Sequence, residues 1–233
     1  MLPSNIVILT STIKAYGKSP TGQTISLSLI LVCSLRTLKS LRVLDVLVCT
    51  ILGRKYSTPA IPIDTASFMG MHIHVGKPRD MALNASFGAC SLIAEIMQSL
   101  DSDSSMEVDE AQGFLKRLQH WSSSLPDEIR HFSKTTEEPL TLPEQEQIIG
   151  SIHVSCVYYF AVMLVTRPFL TTHLMSRLPS AMSQTSELMP TVSTKPEVMN
   201  LAQACIDSAI LMSQTCYDAL QTGILLNNMC IMK

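Results

Sequence analysis

PEQEQIIGSIHVSCVYYFAVMLVTRPFL, residues 143–170, is the stretch whose reading decides the fold. Pro143 opens a predicted helix, because a proline in the first turn gives up an N–H that has no intrahelical partner. Glu144 and Glu146 follow where negative charge suits the positive end of the helix dipole. From Ile148 to Val165 there are 18 residues without a formal charge. A helix that is apolar on nearly every face must be covered all round, by other helices or by lipid. Pro168 disfavours helical geometry at Arg167, so the helix is expected to stop or kink there. The length reaches the lower limit for a membrane span. Gly150, Ser151, His153 and Ser155 within it favour a core helix buried by protein, with a spanning helix as the alternative.

Working outward, the flanking segments read as cover for this helix. Leu31, Leu35, Leu38, Leu41, Leu44, Val48 and Ile51 recur at spacings of three and four, which predicts a helix over Ile25 to Leu52 with one apolar face. Gly53 stands where a glycine ends a helix. Residues 53–79 hold Pro59, Pro62, Pro78, Gly70 and Gly76 and read as an irregular connection. Asp80 caps a predicted helix running to Leu100, with a stripe of Leu83, Phe87, Cys90, Ile93, Met97 and Leu100. Ser104 and Glu107 have capping-box spacing. Ala111, Phe114, Leu115, Leu118 and Trp121 mark the helix that follows, ending near Leu125-Pro126. Residues 177–195 are rich in Ser, Thr and Pro and are expected to be a mobile linker. Pro196 and Glu197 then open a last helix, striped by Val198, Leu201, Cys205, Ala209, Met212, Cys216 and Leu220; Gly223 marks a break after it. The resulting expectation is an all-α, irregular multi-helix domain packed around one buried central helix. Residues 1–24 are unassigned, 25–176 form the core, 177–195 the linker, and 196–233 a truncated C-terminal helix of the same domain.

Composition narrows the function classes. The chain has 233 residues, enough for one sizeable core. Its net charge of −2 provides no global field for nucleic acid or anionic lipid. The seven cysteines include no CxxC pair and sit mostly in apolar periodic segments, which fits a reducing compartment rather than a disulfide framework. Met1 is followed by no basic region and compact apolar run of the secretory kind.

Candidate chemistry is sparse. His72 and His74 share a face only if extended, and no further ligand stands at a zinc-site spacing. His153 reads as a core histidine hydrogen-bonded to a neighbour rather than a base. A Cys–His nucleophile pair stays open, because such partners meet only in the fold, but nothing marks Cys156 as having a lowered pKa. No GxSxG, GxGxxG or P-loop occurs. Arg167 can cap the C-terminal carbonyls of the central helix, pair with a carboxylate or face a ligand cavity, and the structural role is expected; Trp121 is expected to be a core anchor rather than a ligand platform. Arg36, Lys39 and Arg42 make a weak basic stripe that lacks any DNA-docking motif. The chain is therefore expected not to be an enzyme, and to have no catalytic, cofactor-binding or metal residues; the alternatives are a membrane protein with one or two spanning helices, or a helical small-molecule-binding protein or enzyme with a cavity beside the central helix.

Tyr158-Tyr159 followed by Arg167-Pro168-Phe169-Leu170 resembles the central helix of the fungal-specific regulatory domain of binuclear zinc cluster transcription factors. Trp121 with Leu125-Pro126 is similar to the same family. So is the run from Leu41 through Asp45 to Gly53-Arg54, in which the aspartate stands eight residues before the glycine. The family markers are thus Asp45, Gly53, Arg54, Trp121, Pro126, Tyr159, Arg167, Pro168 and Phe169. Four positions depart from the pattern: Leu38-Lys39 replaces an aromatic pair, Val46 a basic residue, and Lys55 a proline. Upstream of Ser40 almost nothing matches. The resemblance implies a regulatory region, incomplete at both ends, with a role in DNA-templated transcription in the nucleus. It implies other regulatory proteins or a small-molecule effector as partners, and no membrane. The family's zinc belongs to a clustered set of cysteines near the N-terminus. With only Cys33 and Cys49 in the first fifty residues, this chain is expected to lack that zinc cluster and to meet DNA only through an absent module.

Overall fold

The structure, a computed structural model, describes residues 27–57, 78–101, 106–130, 140–177 and 195–221. These are all-α: six helices and, among the described residues, no strand. They are α1 (Leu27–Leu52), α2 (Pro78–Leu100), α3 (Val108–Ser123), the single turn α4 (Asp127–Arg130), α5 (Leu142–Arg177) and α6 (Pro196–Gln221). The unassigned residues 1–24, most of the 53–79 connection with His72 and His74, Ser104 of the capping box, residues 178–194 of the linker, and Gly223 lie outside the described residues.

α5 packs against α2, α3, α4 and α6, while α1 lies on α2. α5 starts at Leu142, one residue earlier than expected, and Glu144 reaches back to Thr141 as in one half of a capping box. Glu144 Oε2 accepts from Thr141 N and Thr141 Oγ1, both at 2.7 Å. These bonds, the hydroxyl's first, hold the Glu144 carboxyl below its usual pKa. Along α5 the buried line runs Ile148, Ile152, Val157, Ala161, Val165 and Phe169. The polar residues of its first half are absorbed by protein. Gly150 lets α2 approach so closely that an added Cβ would stand 2.6 Å from Ala82 Cβ. Ser151 Oγ donates to Ile129 O at 2.8 Å, and His153 Nδ1 meets Ser86 Oγ at 3.3 Å.

Of the stop or kink expected at Arg167, the stop is corrected: α5 runs ten residues further, with Pro168 inside it. A proline there removes the bond to the Leu164 carbonyl and costs on the order of 3 kcal/mol in a helix interior. Beyond it Phe169 joins the core and His173 is buried, while Leu174 and Met175 are exposed. Thr166, Thr171 and Thr172 also turn their hydroxyls back onto the carbonyls four residues earlier. By length and composition α5 is, among the described residues, the one helix able to cross a bilayer, a test that a core helix also passes.

The face assignment of α1 is also corrected. Leu41, Leu44, Val48 and Ile51, read as its buried stripe, are 49–69% exposed. The buried side is Leu35, Lys39, Arg42, Val43, Val46 and Thr50. Alternation by threes and fours fits both sides of this helix, and the inward side is the one whose cations find partners on α2 and beyond. Arg36 Nε pairs with the buried Asp80 Oδ1 at 2.9 Å, and Lys39 Nζ donates to Asn84 Oδ1 at 2.7 Å. The Lys39 ammonium also lies over the Phe87 ring and the Arg42 guanidinium over Tyr56. Burial lowers the Lys39 pKa, against the opposing pull of Asp80. The basic stripe is therefore a helix–helix contact.

α6 shows a smaller rotation of the same kind. Leu201, Ala202, Cys205, Ser208 and Ala219 are buried, whereas Ala209 and Leu220 face outward. In α2 the deepest line is Ala82, Ala85, Ala89, Ile93 and Ile96. Leu83, Phe87 and Met97 flank it, half-buried. Small residues at the centre let α2 lie close against α5.

Candidate functional site

The sequence markers fall into two groups on opposite flanks of α5. The first is at the C-terminal end of α1. Gly53 takes a left-handed conformation with φ of +62°. Arg54 N donates to Cys49 O at 2.8 Å and Gly53 N to Thr50 O at 3.3 Å. These two bonds are the pair that closes a Schellman turn, and they require the φ that glycine tolerates. Asp45 locks the turn from within the helix. Its carboxylate accepts from Ser57 N at 3.2 and 3.1 Å and from Cys49 Sγ at 3.4 Å, and it stands 3.7 Å from Arg42. The spacing of Asp45 and Gly53 therefore has a structural cause: one residue turns the chain and the other holds what comes after the turn. Burial, then the hydrogen bond to Asp45, raises the Cys49 thiol pKa. Arg54 itself is exposed.

Beside this turn lies an open cleft of about 580 Å³, walled by Thr50, Ile51, Gly53, Met97, Leu100, Leu164, Arg167, Pro168 and Thr171. The walls are mostly apolar. Arg167 is exposed at the rim, and among the described residues no carboxylate pairs with it. Because α5 continues to Arg177, Arg167 has no terminal carbonyls to serve, and its expected capping role is corrected. Phe169, on the other side of the helix, belongs to the core.

The second group gathers around Trp121. Its ring stacks on Tyr158 with centroids 6.4 Å apart and planes 18° apart, and Tyr159 meets Tyr158 edge-on at 5.6 Å. Gly88 of α2 makes room for the indole, since an added Cβ would stand 3.0 Å from Nε1. The two tyrosines border two clefts. One, of about 230 Å³, is completed by Leu125, Arg130 and Val154. The other, of about 520 Å³, opens toward Leu115, Lys116, Asp207 and Leu211. Burial raises the Tyr158 hydroxyl pKa, with Tyr159 adding to it. Pro126 starts α4, its carbonyl accepting from Ile129 N and Arg130 N. Arg130, which the sequence reading passed over, donates to Leu125 O at 2.9 Å and pairs with Asp127 at 3.0 Å. Trp121 is thus a half-buried anchor, as its spacing predicted, that also forms a cleft wall.

His153 meets Ser86, and burial lowers its pKa, so the imidazole stays neutral near neutral pH. Cys156 faces another cysteine rather than a histidine, and burial with that neighbour pushes its thiol up to about 12. A thiol so held is a weak nucleophile. Among the described residues no group of three or more His, Cys, Asp or Glu is placed to hold a metal. What the two flanks share is an open cleft against α5, mostly apolar beside Arg167 and mixed polar and apolar around Trp121. Set against protein-family models, curated proteins and solved structures, the chain matches none of them.

Proposed function

We propose that this chain is a regulatory region of the kind found in fungal zinc cluster transcription factors, acting without a DNA-reading cluster of its own. The observation that carries the reading is the grouping of its markers. Asp45 and Gly53 build the turn beside Arg167 and Pro168, while Trp121 and Tyr159 meet on the other flank of α5. The markers so grouped are far apart in sequence. In this reading the region modulates transcription in the nucleus, through an effector or a partner regulator. The Arg167 cleft suits an effector with an apolar body and one anionic group, because its walls are apolar and its rim carries an exposed guanidinium. No cofactor enters the reading, and DNA contact belongs to a separate module.

The test is a reporter assay in yeast. The chain is fused between a heterologous DNA-binding domain and an activation domain. Modulated output, restored to the level of the fusion without the chain by Arg167→Ala or Trp121→Ala, supports the reading. Output indistinguishable from that of the fusion lacking the chain sinks it. Membrane fractionation tests the second reading, which the length and apolarity of α5 favour. A chain that resists carbonate extraction is a membrane protein, and the regulatory reading then falls.

A further inference from the structure

Two sulfurs sixty positions apart in sequence lie side by side. Cys156 Sγ, in the middle of α5, is 3.7 Å from Cys216 Sγ, near the end of α6. They adjoin a small apolar cluster of Ile148, Ile152 and Ala219 that seals this end of the α5–α6 contact. Both cysteines are half-buried, whereas Cys90 and Cys205 are buried. A small oxidant therefore has an approach to this pair. A disulfide bond is about 2.05 Å long, so closing it asks for under about 2 Å of combined sulfur movement.

We propose that Cys156 and Cys216 are a modification site: a reversible disulfide, formed by a peroxide, that pins α6 to α5. The proposal stands apart from the regulatory reading and does not need it. One of the two cysteines, as its thiolate, attacks a peroxide oxygen: the S–O bond forms and the O–O bond breaks, and the leaving hydroxide takes a proton to become water. The sulfur of the other, 3.7 Å away, then attacks the sulfenic acid sulfur. The S–S bond forms, the S–O bond breaks, and the departing hydroxide takes the second thiol's proton as a second water. Both thiols are oxidised and one peroxide is reduced. A thiol reductant reverses the bond by exchange.

The effect on the fold follows from topology. The bridge would close a loop that includes the whole connection from α5 to α6, which removes freedom from the unfolded chain. For a loop of this length the expected rise in Tm is about 5–15 °C.

The test oxidises the full chain with hydrogen peroxide, then maps peptides by mass without reduction and records a thermal melt. The expected result is a Cys156–Cys216 linked peptide lacking two hydrogens, a raised Tm, and return of both readouts on adding dithiothreitol. Cys156→Ser and Cys216→Ser should each lose the link and the Tm rise, while Cys33→Ser keeps both. Circular dichroism establishes that the variants fold; for one that does not, the peptide map of the unmutated chain decides. A link to any other cysteine, a chain-to-chain link, or sulfinic acid at either position with no bridge overturns the proposal. So does a bridge that leaves Tm unchanged, or a Tm rise that Cys216→Ser shares.

Discussion

α1 and α5 are both long apolar helices, yet they are buried in opposite ways. α5 is apolar on nearly every side and is wrapped by four other helices. From Ile148 to Val165 every residue is buried or half-buried, whereas Leu142, Leu174 and Met175 toward its ends are exposed. α1 has two candidate faces, one of leucines and one carrying Arg36, Lys39 and Arg42. The cationic face is the one turned inward. The leucines hold no directional preference, whereas the cations find Asp80, Asn84 and two aromatic rings at fixed positions. Long stems of Lys and Arg also supply apolar area of their own. A period of three and four residues therefore locates a helix more firmly than it orients one.

The sharpest way to break this comparison is to place the same charge on each helix. Val157→Asp puts an unpaired carboxylate into the core of α5, where Val157 is only 3% exposed. A loss of several kcal/mol is expected, enough to unfold or aggregate the chain in a urea melt. Leu44→Asp on the exposed face of α1 should change stability by no more than about 0.5 kcal/mol. Equal losses from both would mean that the leucine face of α1 is covered after all.

Glycines offer a second contrast. Gly150→Ala in α5 drives a methyl against Ala82 and should cost roughly 1–3 kcal/mol by overpacking. Gly113→Ala in α3, where an added Cβ meets nothing within 4 Å, should stabilise by about 0.5–1 kcal/mol through helix propensity. Denaturant melts of both variants check the close approach of α2 to α5 directly.

His153 sharpens the view of α5 as a protein-buried helix. Burial lowers its folded-state pKa below the ordinary value of 6.5. The unfolded chain then binds the proton more readily, so stability is full above pH 6.5 and is lost as pH falls below it toward the lowered folded value. His153→Gln should flatten that part of the stability–pH curve. A curve of unchanged slope would mean that the imidazole is not desolvated.

The smallest effect concerns the start of α5. The Thr141 bonds depress the Glu144 carboxyl, so their contribution is present above its unfolded pKa of about 4.5 and fades as pH falls through the depressed folded value. Thr141→Ala should lower Tm by a small margin at neutral pH, and by less in acid. A loss that persists undiminished in acid would point to the threonine's packing instead.

The sequence by itself determined the helical class and the places of the long helices, because hydrophobic periodicity and end signals are local. Thr141 to Glu144 and Gly53 show this: each acts on backbone groups within a turn of itself. The composition of α5 likewise required that it be enclosed. Tertiary structure decided what local signals leave open. It chose the cationic face of α1, because the Arg36 and Lys39 partners lie on α2, more than forty residues along the chain. It carried α5 through Pro168, past a broken helix bond, to place Phe169 in the core. It also set Trp121 against Tyr158 and Cys156 beside Cys216, pairings that no spacing rule encodes. The physical reason is common to all of these. Backbone preference acts over a few residues, whereas the partner that fixes a face, a cleft or a sulfur pair arrives from a distant part of the chain only when the core closes.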